Sequence, residues 1–181
     1  MFQVRIHGRG GQGVVTAAEL LSVSAFLEGK YAQAFPSFGS ERTGAPVVAF
    51  CRIADNEIRL REPIVAPNAV IIQDKTVIES ANALGGIVEN GFALINSAND
   101  ISEDLKVKNI KVKCVGATEI ALENIGRPLP NAVLLGSFAA FTGIIKLASV
   151  EEAIKTKFSG AIAEKNISAA RAAYEKTLGE K

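Results

Sequence analysis

The residues best suited to chemistry in this chain stand close to its start, in a glycine-rich turn. Gly8, Gly10 and Gly13 fit the spacing G-x-G-x-x-G, with Gly11 and Gln12 before the last glycine. Glycine reaches positive φ at little cost and has no side chain to hold a ligand away from the backbone. A helix that begins directly after such a turn adds unpaired N–H groups and a partial positive charge. The combination is typical of phosphate binding.

The segments on both sides of the turn supply the elements that such a site needs. Residues 2–6 alternate apolar and polar side chains and predict a strand. The run that begins at Val14 has helical spacing and predicts a helix that ends near Gly29. Strand, glycine turn and helix form the first half of a mononucleotide-binding unit. A purely structural alternative stays open, in which the glycines only let the strand turn tightly into the helix.

The ligand of such a turn is further restricted by one missing acid. Dinucleotide-binding folds carry Asp or Glu about 20 residues beyond the turn, where the carboxylate holds the ribose hydroxyls. Residues 31–37 read Tyr-Ala-Gln-Ala-Phe-Pro-Ser and contain no acid. The sequence therefore favours a phosphate-bearing ligand other than NAD.

Composition limits the class of protein. The chain has 181 residues, of which 48% are hydrophobic and 22% charged, and we expect one globular domain over residues 1–181. The net charge of +1 gives no electrostatic reason to expect nucleic acid or an anionic membrane as a partner. Since no apolar run reaches about 18 residues, no membrane span is expected. Cys51 and Cys114 lie in separate apolar runs and predict free thiols in a reducing cytoplasm.

Alternating strand and helix patterns predict an α/β fold of three layers, αβα, around a Rossmann-like, mostly parallel sheet. The predicted strands are residues 2–6, 30–35, 47–53, 69–74, 91–97 and 110–115, and the predicted helices are 14–29, 75–84, 117–124, 132–147 and 161–178, with a further helix start at Ser149. Residues 58–61 alternate as an edge strand, and we expect them to form an inserted antiparallel hairpin with residues 47–53. The helix 132–147 is apolar on almost all sides and is expected to be buried in the core or against a partner.

The sequence contains no evident self-sufficient active site. His7 is the only histidine, and a lone histidine at a strand end more often makes a structural hydrogen bond. No G-x-S-x-G elbow or histidine–carboxylate cluster occurs. Asn131 stands where a helix N-cap belongs, whereas Asn166 is a poor helix former inside a predicted helix and is a candidate ligand or partner contact. A binding domain that serves chemistry performed elsewhere fits these patterns better than an independent enzyme.

Two motifs taken together resemble a known family. The first runs from Gly8 to Ala18 and contains the glycine turn, and the second, from Phe38 to Val47, reads Phe-Gly-Ser-Glu-Arg-Thr-Gly-Ala-Pro-Val. In this order the pair resembles the gamma subunit of 2-oxoacid:ferredoxin oxidoreductases, and the similarity is greatest to the pyruvate type. The 2-oxoisovalerate type stays open as an alternative. The resemblance covers the chain nearly from end to end.

The resemblance implies a function in a larger assembly. The family oxidatively decarboxylates a 2-oxoacid with coenzyme A and ferredoxin, which for pyruvate gives acetyl-CoA, carbon dioxide and reduced ferredoxin. Thiamine diphosphate, magnesium and iron–sulfur clusters would belong to alpha, beta and delta partner subunits only. The gamma subunit would hold no active site of its own. It would help to bind coenzyme A and support assembly.

The residues of the implied coenzyme A site can be transferred onto this sequence. Backbone N–H groups would approach a coenzyme A phosphate at Gly11, Gln12, Gly13, Val14 and Val15, Arg42 would pair with a phosphate, and Asn131 and Asn166 would supply amide hydrogen bonds. Because the 3′-oxygen of coenzyme A is phosphorylated, the missing acid after the second strand agrees with this ligand. Arg42 could instead pair with Glu41 or with a partner subunit. A purely structural interaction subunit and an independent enzyme that binds NAD, FAD or ATP remain the competing hypotheses.

Overall fold

The computed structural model of the chain describes residues 1–37, 43–101, 103, 105 and 109–179. Its elements are, in chain order, β1 (Phe2–Arg9), α1 (Val14–Leu27), β2 (Tyr31–Pro36), β3 (Pro46–Ala54), β4 (Ala69–Ile72), α2 (Val77–Ser80), β5 (Phe92–Asn96), β6 (Lys111–Val115), α3 (Ala117–Ile125), α4 (Asn131–Thr142), α5 (Leu147–Lys157) and α6 (Gly160–Gly179). All six of the described strands lie before residue 116, with α1 and α2 between them, and four helices follow β6 in succession.

The strands form one mixed sheet in the order β2-β3-β1-β4-β5-β6. β1, β4, β5 and β6 are parallel neighbours, whereas β3 lies antiparallel between β2 and β1. Val4 of β1 lies opposite Cys51 of β3 on one side and Ala69 of β4 on the other. The predicted α/β fold is confirmed. β1 carries the glycine turn at its carboxyl end, where ligands of such sheets bind.

Side-chain alternation divides the sheet into two apolar faces. One face packs against α1, α3, α4, α5 and α6 through buried residues that include Val4, Ile6, Ala69, Ile71 and Leu94. The other face is smaller and packs against α2 through Val70, Ile72 and Ile95. The large helical layer therefore lies on one side of the sheet and brings α4 and α6 next to the start of α1.

The antiparallel hairpin is formed by a different pair of strands from the predicted pair. Residues 58–61 form no strand, and the hairpin partner of β3 is β2, joined to it through the segment that carries the second motif. The buried guanidinium of Arg52 explains the difference. It donates to the backbone oxygens of Leu60 (3.4 Å) and Glu62 (2.5 Å). This segment is therefore bound to β3 by a side chain and not by backbone hydrogen bonds between paired strands.

Two predicted helices were wrong in extent. The helix expected over residues 75–84 is only α2, Val77–Ser80, because the backbone turns into the left-handed region at Asn82 (φ 44°). The helix expected over residues 132–147 ends at Thr142, because Gly143 takes a left-handed conformation (φ 68°). The apolar run continues through the turn to Ile145 and conceals this boundary. The predicted burial of α4 is confirmed, with nearly all its side chains in the core.

Helices α4 and α6 pack unusually closely, and this contact shapes the site. A Cβ at Gly136 would overlap the backbone oxygen of Ala170 and lie 2.9 Å from its Cα. The next residue of α4, Ser137, donates to the backbone oxygen of Ala173 (3.4 Å), one turn further along α6. Asn131 and Asn166 precede these contacts on their helices, and both line one cavity.

Candidate ligand-binding site at the glycine turn

The turn between β1 and α1 requires glycine at two positions. Gly11 has φ 95° and Gly13, the residue before the first turn of α1, has φ 73°, values that residues with a Cβ rarely adopt. The turn is also tied to the second motif, because Gly10 donates to the oxygen of Ala45 (2.9 Å) and accepts from Gly44 (3.2 Å). The described end of the second motif therefore lies next to the glycine turn.

Gln12 uses its polar groups inside the turn. Its Oε1 accepts from the N–H of Arg9 (2.8 Å), its Nε2 donates to Asp74 (2.9 Å), and its own N–H donates to the oxygen of Arg9 (3.1 Å). Gln12 thus fastens the turn to the carboxyl end of β4. Its contact with a ligand stays a prediction, whereas its hydrogen bonds to Arg9 and Asp74 show that it stabilises the turn.

Asp74 is the anchor of this network. It accepts from the Thr76 N–H (3.0 Å) and hydroxyl (2.6 Å), and Arg9 lies 3.6 Å from its carboxylate. Burial alone would raise the pKa of Asp74, but the hydrogen bonds from Thr76 and Gln12, together with Arg9, hold it below its usual value. A carboxylate that stays ionised keeps both the Gln12 amide and the Arg9 guanidinium in place.

The first turn of α1 offers donors to a ligand. Ala17 is the residue whose N–H reaches the oxygen of Gly13 (2.9 Å), so the N–H groups of Val14, Val15 and Thr16 precede the first bond within the helix. The positive end of the helix dipole lies at the same place. An anion placed here would meet directed donors and a favourable field, as the sequence predicts.

Two cavities open at this helix start and share Gly11, Gly13 and Thr16. The first, here called the Arg9 cavity, has a volume of about 450 Å³ and is lined by Arg9, Gly10, Gly11, Gly13, Val14, Val15, Thr16, Thr43 and Val47. The second, the Asn131 cavity, has a volume of about 540 Å³ and is lined by Gly11, Gly13, Thr16, Ile125, Arg127, Leu129, Asn131, Phe158, Ile162, Lys165 and Asn166. No acidic side chain is among the described residues that line either cavity.

Asn131 and Asn166 are both buried and both lie on the Asn131 cavity. Asn131 accepts from the N–H of Ala132 (2.9 Å), and Asn166 donates to the oxygen of Ile162 one turn earlier (2.8 Å). Among the described residues, no further hydrogen bond involves Nδ2 of Asn131 or Oδ1 of Asn166. One amide donor and one amide acceptor therefore remain for a ligand.

The structure brings most of the predicted residues to one place. Gly11 and Gly13 line both cavities, Val14 and Val15 line the Arg9 cavity, and the two asparagines line the other. Arg42 lies outside the described residues. Asn131 is the first residue of α4 and Pro130 is its N-cap, one position earlier than expected. Arg127 and Lys165 were not predicted, because no spacing in the sequence connects a loop residue after α3 with a surface position of α6.

His7 is buried on β1 next to the turn, with 3% of its surface exposed. Within the described part of the chain, neither ring nitrogen has a hydrogen-bond partner, so the expected structural hydrogen bond is not found. Burial, and to a lesser degree the charge of Arg5, lowers the pKa of His7 to about 4. The ring is therefore neutral at physiological pH and adds no positive charge to the site.

Within the described residues, no group of three or more His, Cys, Asp or Glu side chains is arranged to hold a metal ion. In the same part of the chain, no helix is both long and apolar enough to cross a membrane. The positive features of the site are thus its glycine turn, its helix start, its two amides and its basic side chains.

Comparison with known proteins identifies the family of the chain. The family described as "Pyruvate ferredoxin/flavodoxin oxidoreductase" matches residues 3–176. The chain belongs to this family. Its similarity to gamma subunits follows from full-length relatives: a "Pyruvate/ketoisovalerate oxidoreductases common subunit gamma" of Thermococcus litoralis is 49% identical over 181 residues and covers 98% of both chains. A "Pyruvate synthase subunit PorC" of Methanothermobacter marburgensis is 48% identical over 97% of both chains.

Solved structures agree with the family. The pyruvate oxidoreductase subunit PORC of Thermotoga maritima has a TM-score of 0.85 and 38% identity over 96% of this chain and 95% of that one. A 2-oxoglutarate:ferredoxin oxidoreductase of Magnetococcus marinus, with 2-oxoglutarate, coenzyme A and succinyl-CoA bound, has a TM-score of 0.82 over 99% of this chain and 31% of its own. At 15% identity the latter likeness shows the fold alone. This oxidoreductase subunit is thus a gamma subunit of a 2-oxoacid:ferredoxin oxidoreductase, and the predicted family is confirmed.

Proposed function

We propose that this gamma subunit serves an enzyme that oxidatively decarboxylates pyruvate with coenzyme A and ferredoxin, and that it forms part of the coenzyme A site. Alpha, beta and delta partners would hold thiamine diphosphate, magnesium and the iron–sulfur clusters, and ferredoxin would meet the complex rather than this chain. Free thiols at Cys51 and Cys114 fit the reducing cytoplasm in which we place the complex.

The observation that carries the coenzyme A proposal is the convergence on the Asn131 cavity. Two glycines of the turn, the start of α1 and two buried amides from α4 and α6 line one space, and Arg127 and Lys165 add positive charge. Backbone donors and a helix dipole suit a diphosphate, and the amides suit the polar groups of the nucleoside or pantetheine. The missing acid after β2 and the acid-free lining fit a ligand with several negative charges.

A substitution at Asn131 tests this proposal in the assembled complex. Asn131→Asp keeps the size of the side chain but adds a negative charge to the cavity. We expect it to raise the KM for coenzyme A about tenfold or more, because one like-charge contact of about 1.4 kcal/mol corresponds to a factor of ten, and to leave the KM for pyruvate unchanged. Asn56→Asp is the matched control, since Asn56 is exposed beyond the far end of β3. An unchanged KM for coenzyme A in Asn131→Asp would contradict the proposal.

A second substrate has specific support. The Thermococcus relative is named as a subunit common to pyruvate and ketoisovalerate oxidoreductases. We therefore propose that this chain could join either set of partners, with the oxoacid chosen by the other subunits. Combining the chain in turn with pyruvate-type and ketoisovalerate-type partners, and assaying both oxoacids, tests this directly. Activity with only one set of partners would restrict the chain to that enzyme.

A further inference from the structure

Two cations on the Asn131 cavity carry an inference that rests on the proposed function. Arg127 follows α3 directly after Gly126, whose left-handed backbone (φ 80°) ends that helix, and Pro128 comes next. Lys165 lies on α6 beside Asn166. Both side chains are exposed, and neither has an ion pair or side-chain hydrogen bond to another described residue. The charges are therefore available to a ligand.

The layout of the two cavities suggests how a long ligand would lie. Gly11, Gly13 and Thr16 belong to both cavities, so the start of α1 is their common middle. Coenzyme A has its diphosphate between a 3′-phosphoadenosine end and a pantetheine end. With the diphosphate at the helix start, one end would enter each cavity. The 3′-phosphate monoester is then a separate anion that the helix start does not reach.

The Asn131 cavity suits the nucleoside end better than the Arg9 cavity does. Ile125, Leu129, Phe158 and Ile162 supply apolar side chains on which an adenine ring can pack. The same cavity has two cations, whereas among the described residues that line the Arg9 cavity the one cation is Arg9, which is already engaged with Asp74 and Thr76. A phosphate monoester carries close to two negative charges at pH 7, which two cations can match.

We propose that Arg127 and Lys165 bind the 3′-phosphate of coenzyme A and make this subunit discriminate against dephospho-CoA, which lacks only that phosphate. Their distinct positions, one in a loop and one on a helix, let them approach a terminal phosphate from two sides. The effect is one of specificity for the acyl acceptor and leaves the decarboxylation chemistry to the partner subunits.

The test compares two acceptors in the assembled complex. Arg127→Gln combined with Lys165→Gln should raise the KM for coenzyme A about fivefold to thirtyfold, corresponding to charge-assisted contacts at a partly exposed site. The KM for dephospho-CoA should not change. The ratio of the KM for dephospho-CoA to the KM for coenzyme A should therefore fall towards one. Arg61→Gln combined with Lys176→Gln is the control, since both residues are exposed and lie outside both cavities.

The alternative outcomes separate this inference from the proposed function. Equal increases in both KM values would mean that the cations bind the diphosphate, and this would overturn the inference. No change for either acceptor, with Asn131→Asp still raising both KM values, would also overturn it while leaving the proposed coenzyme A site intact. If Asn131→Asp changes neither value, the proposed function itself fails.

Discussion

The side-chain amide of Asn131 lies directly against the α-carbon of Gly13, where the turn after β1 becomes α1. A Cβ at Gly13 would overlap Nδ2 of Asn131 and lie 3.2 Å from its Cγ. The contact joins residues far apart in the chain and places a buried amide beside the N–H groups that begin a helix. Gly13 is therefore required twice, by its positive φ and by its neighbour.

This double requirement predicts the cost of a single methyl group. Gly13→Ala should lower the free energy of unfolding more than Gly29→Ala, because both glycines have positive φ (73° and 78°) but only Gly13 meets a neighbour. The strained backbone costs about 1–2 kcal/mol at each position. The overlap with Asn131 should add about 1–3 kcal/mol at Gly13. Urea unfolding of the two variants measures the difference, and equal losses would mean that the amide moves aside freely.

Close packing of α4 against α6 predicts a larger effect. Gly136→Ala should destabilise the protein by about 1–3 kcal/mol or more, because the added Cβ would overlap the backbone of Ala170, which cannot rotate away. Gly179→Ala, at the open end of α6, is the control and should be neutral or slightly stabilising. Thermal unfolding checks both variants. A neutral Gly136→Ala would show that the helices can separate without loss.

The Gln12–Asp74 contact predicts a coupling that a double-mutant cycle can measure. Gln12→Ala and Asp74→Ala should each destabilise the fold, and together by less than the sum, with a coupling of about 1–2 kcal/mol for a hydrogen bond to a charged group. Hydrogen exchange in residues 9–13 should become faster in Gln12→Ala. Additive losses in stability would mean that the turn keeps its shape without this bond.

Burial of His7 predicts a dependence of stability on pH. Its folded pKa of about 4 lies below the ordinary value of 6.5, so between these pH values the unfolded chain binds more protons than the folded one. The contribution of the neutral ring to the free energy of unfolding is fully present above pH 6.5. It is lost as the pH falls towards 4, by about 3 kcal/mol in total. The low pKa of Asp74 adds a loss at more acidic pH.

Substitution of His7 measures its contribution to the pH dependence of stability. His7→Leu should remove most of the slope between pH 6.5 and 4, because a leucine gains no charge in the same apolar place. Denaturant unfolding at half-unit pH steps would measure the slope. An unaltered slope in His7→Leu would mean that carboxylates, rather than this ring, govern the acid response.

Local features of the site could be predicted from patterns in the sequence, whereas the long-range ones could be expected only through the family resemblance. The glycine turn and α1 follow from positive φ requirements and helical spacing within 20 residues. The convergence of Asn131 and Asn166 depends on how α4 packs on α6, which no local pattern encodes. Gln12 carries an amide that could have met a ligand equally well, and only the fold brings Asp74 within 2.9 Å of it.

The strand error has a similar origin. Residues 58–61 have the alternation of a strand, but the Arg52 side chain on β3 donates to the backbone oxygens of Leu60 and Glu62. Hydrogen bonds from a side chain, unlike those between paired strands, leave no periodic pattern in the sequence. The end of α4 was hidden for the opposite reason, because apolar residues continue on both sides of Gly143.

Amide hydrogen exchange in the assembled complex, with and without coenzyme A, tests the central claim most directly. Coenzyme A should slow exchange in the segment from Gly11 to Thr16, where the helix start would donate to the diphosphate. The segment from Glu28 to Tyr31, at the other end of α1, should not respond. Slowed exchange confined to the partner subunits, with the Gly11–Thr16 segment unchanged at saturating coenzyme A, would contradict the account.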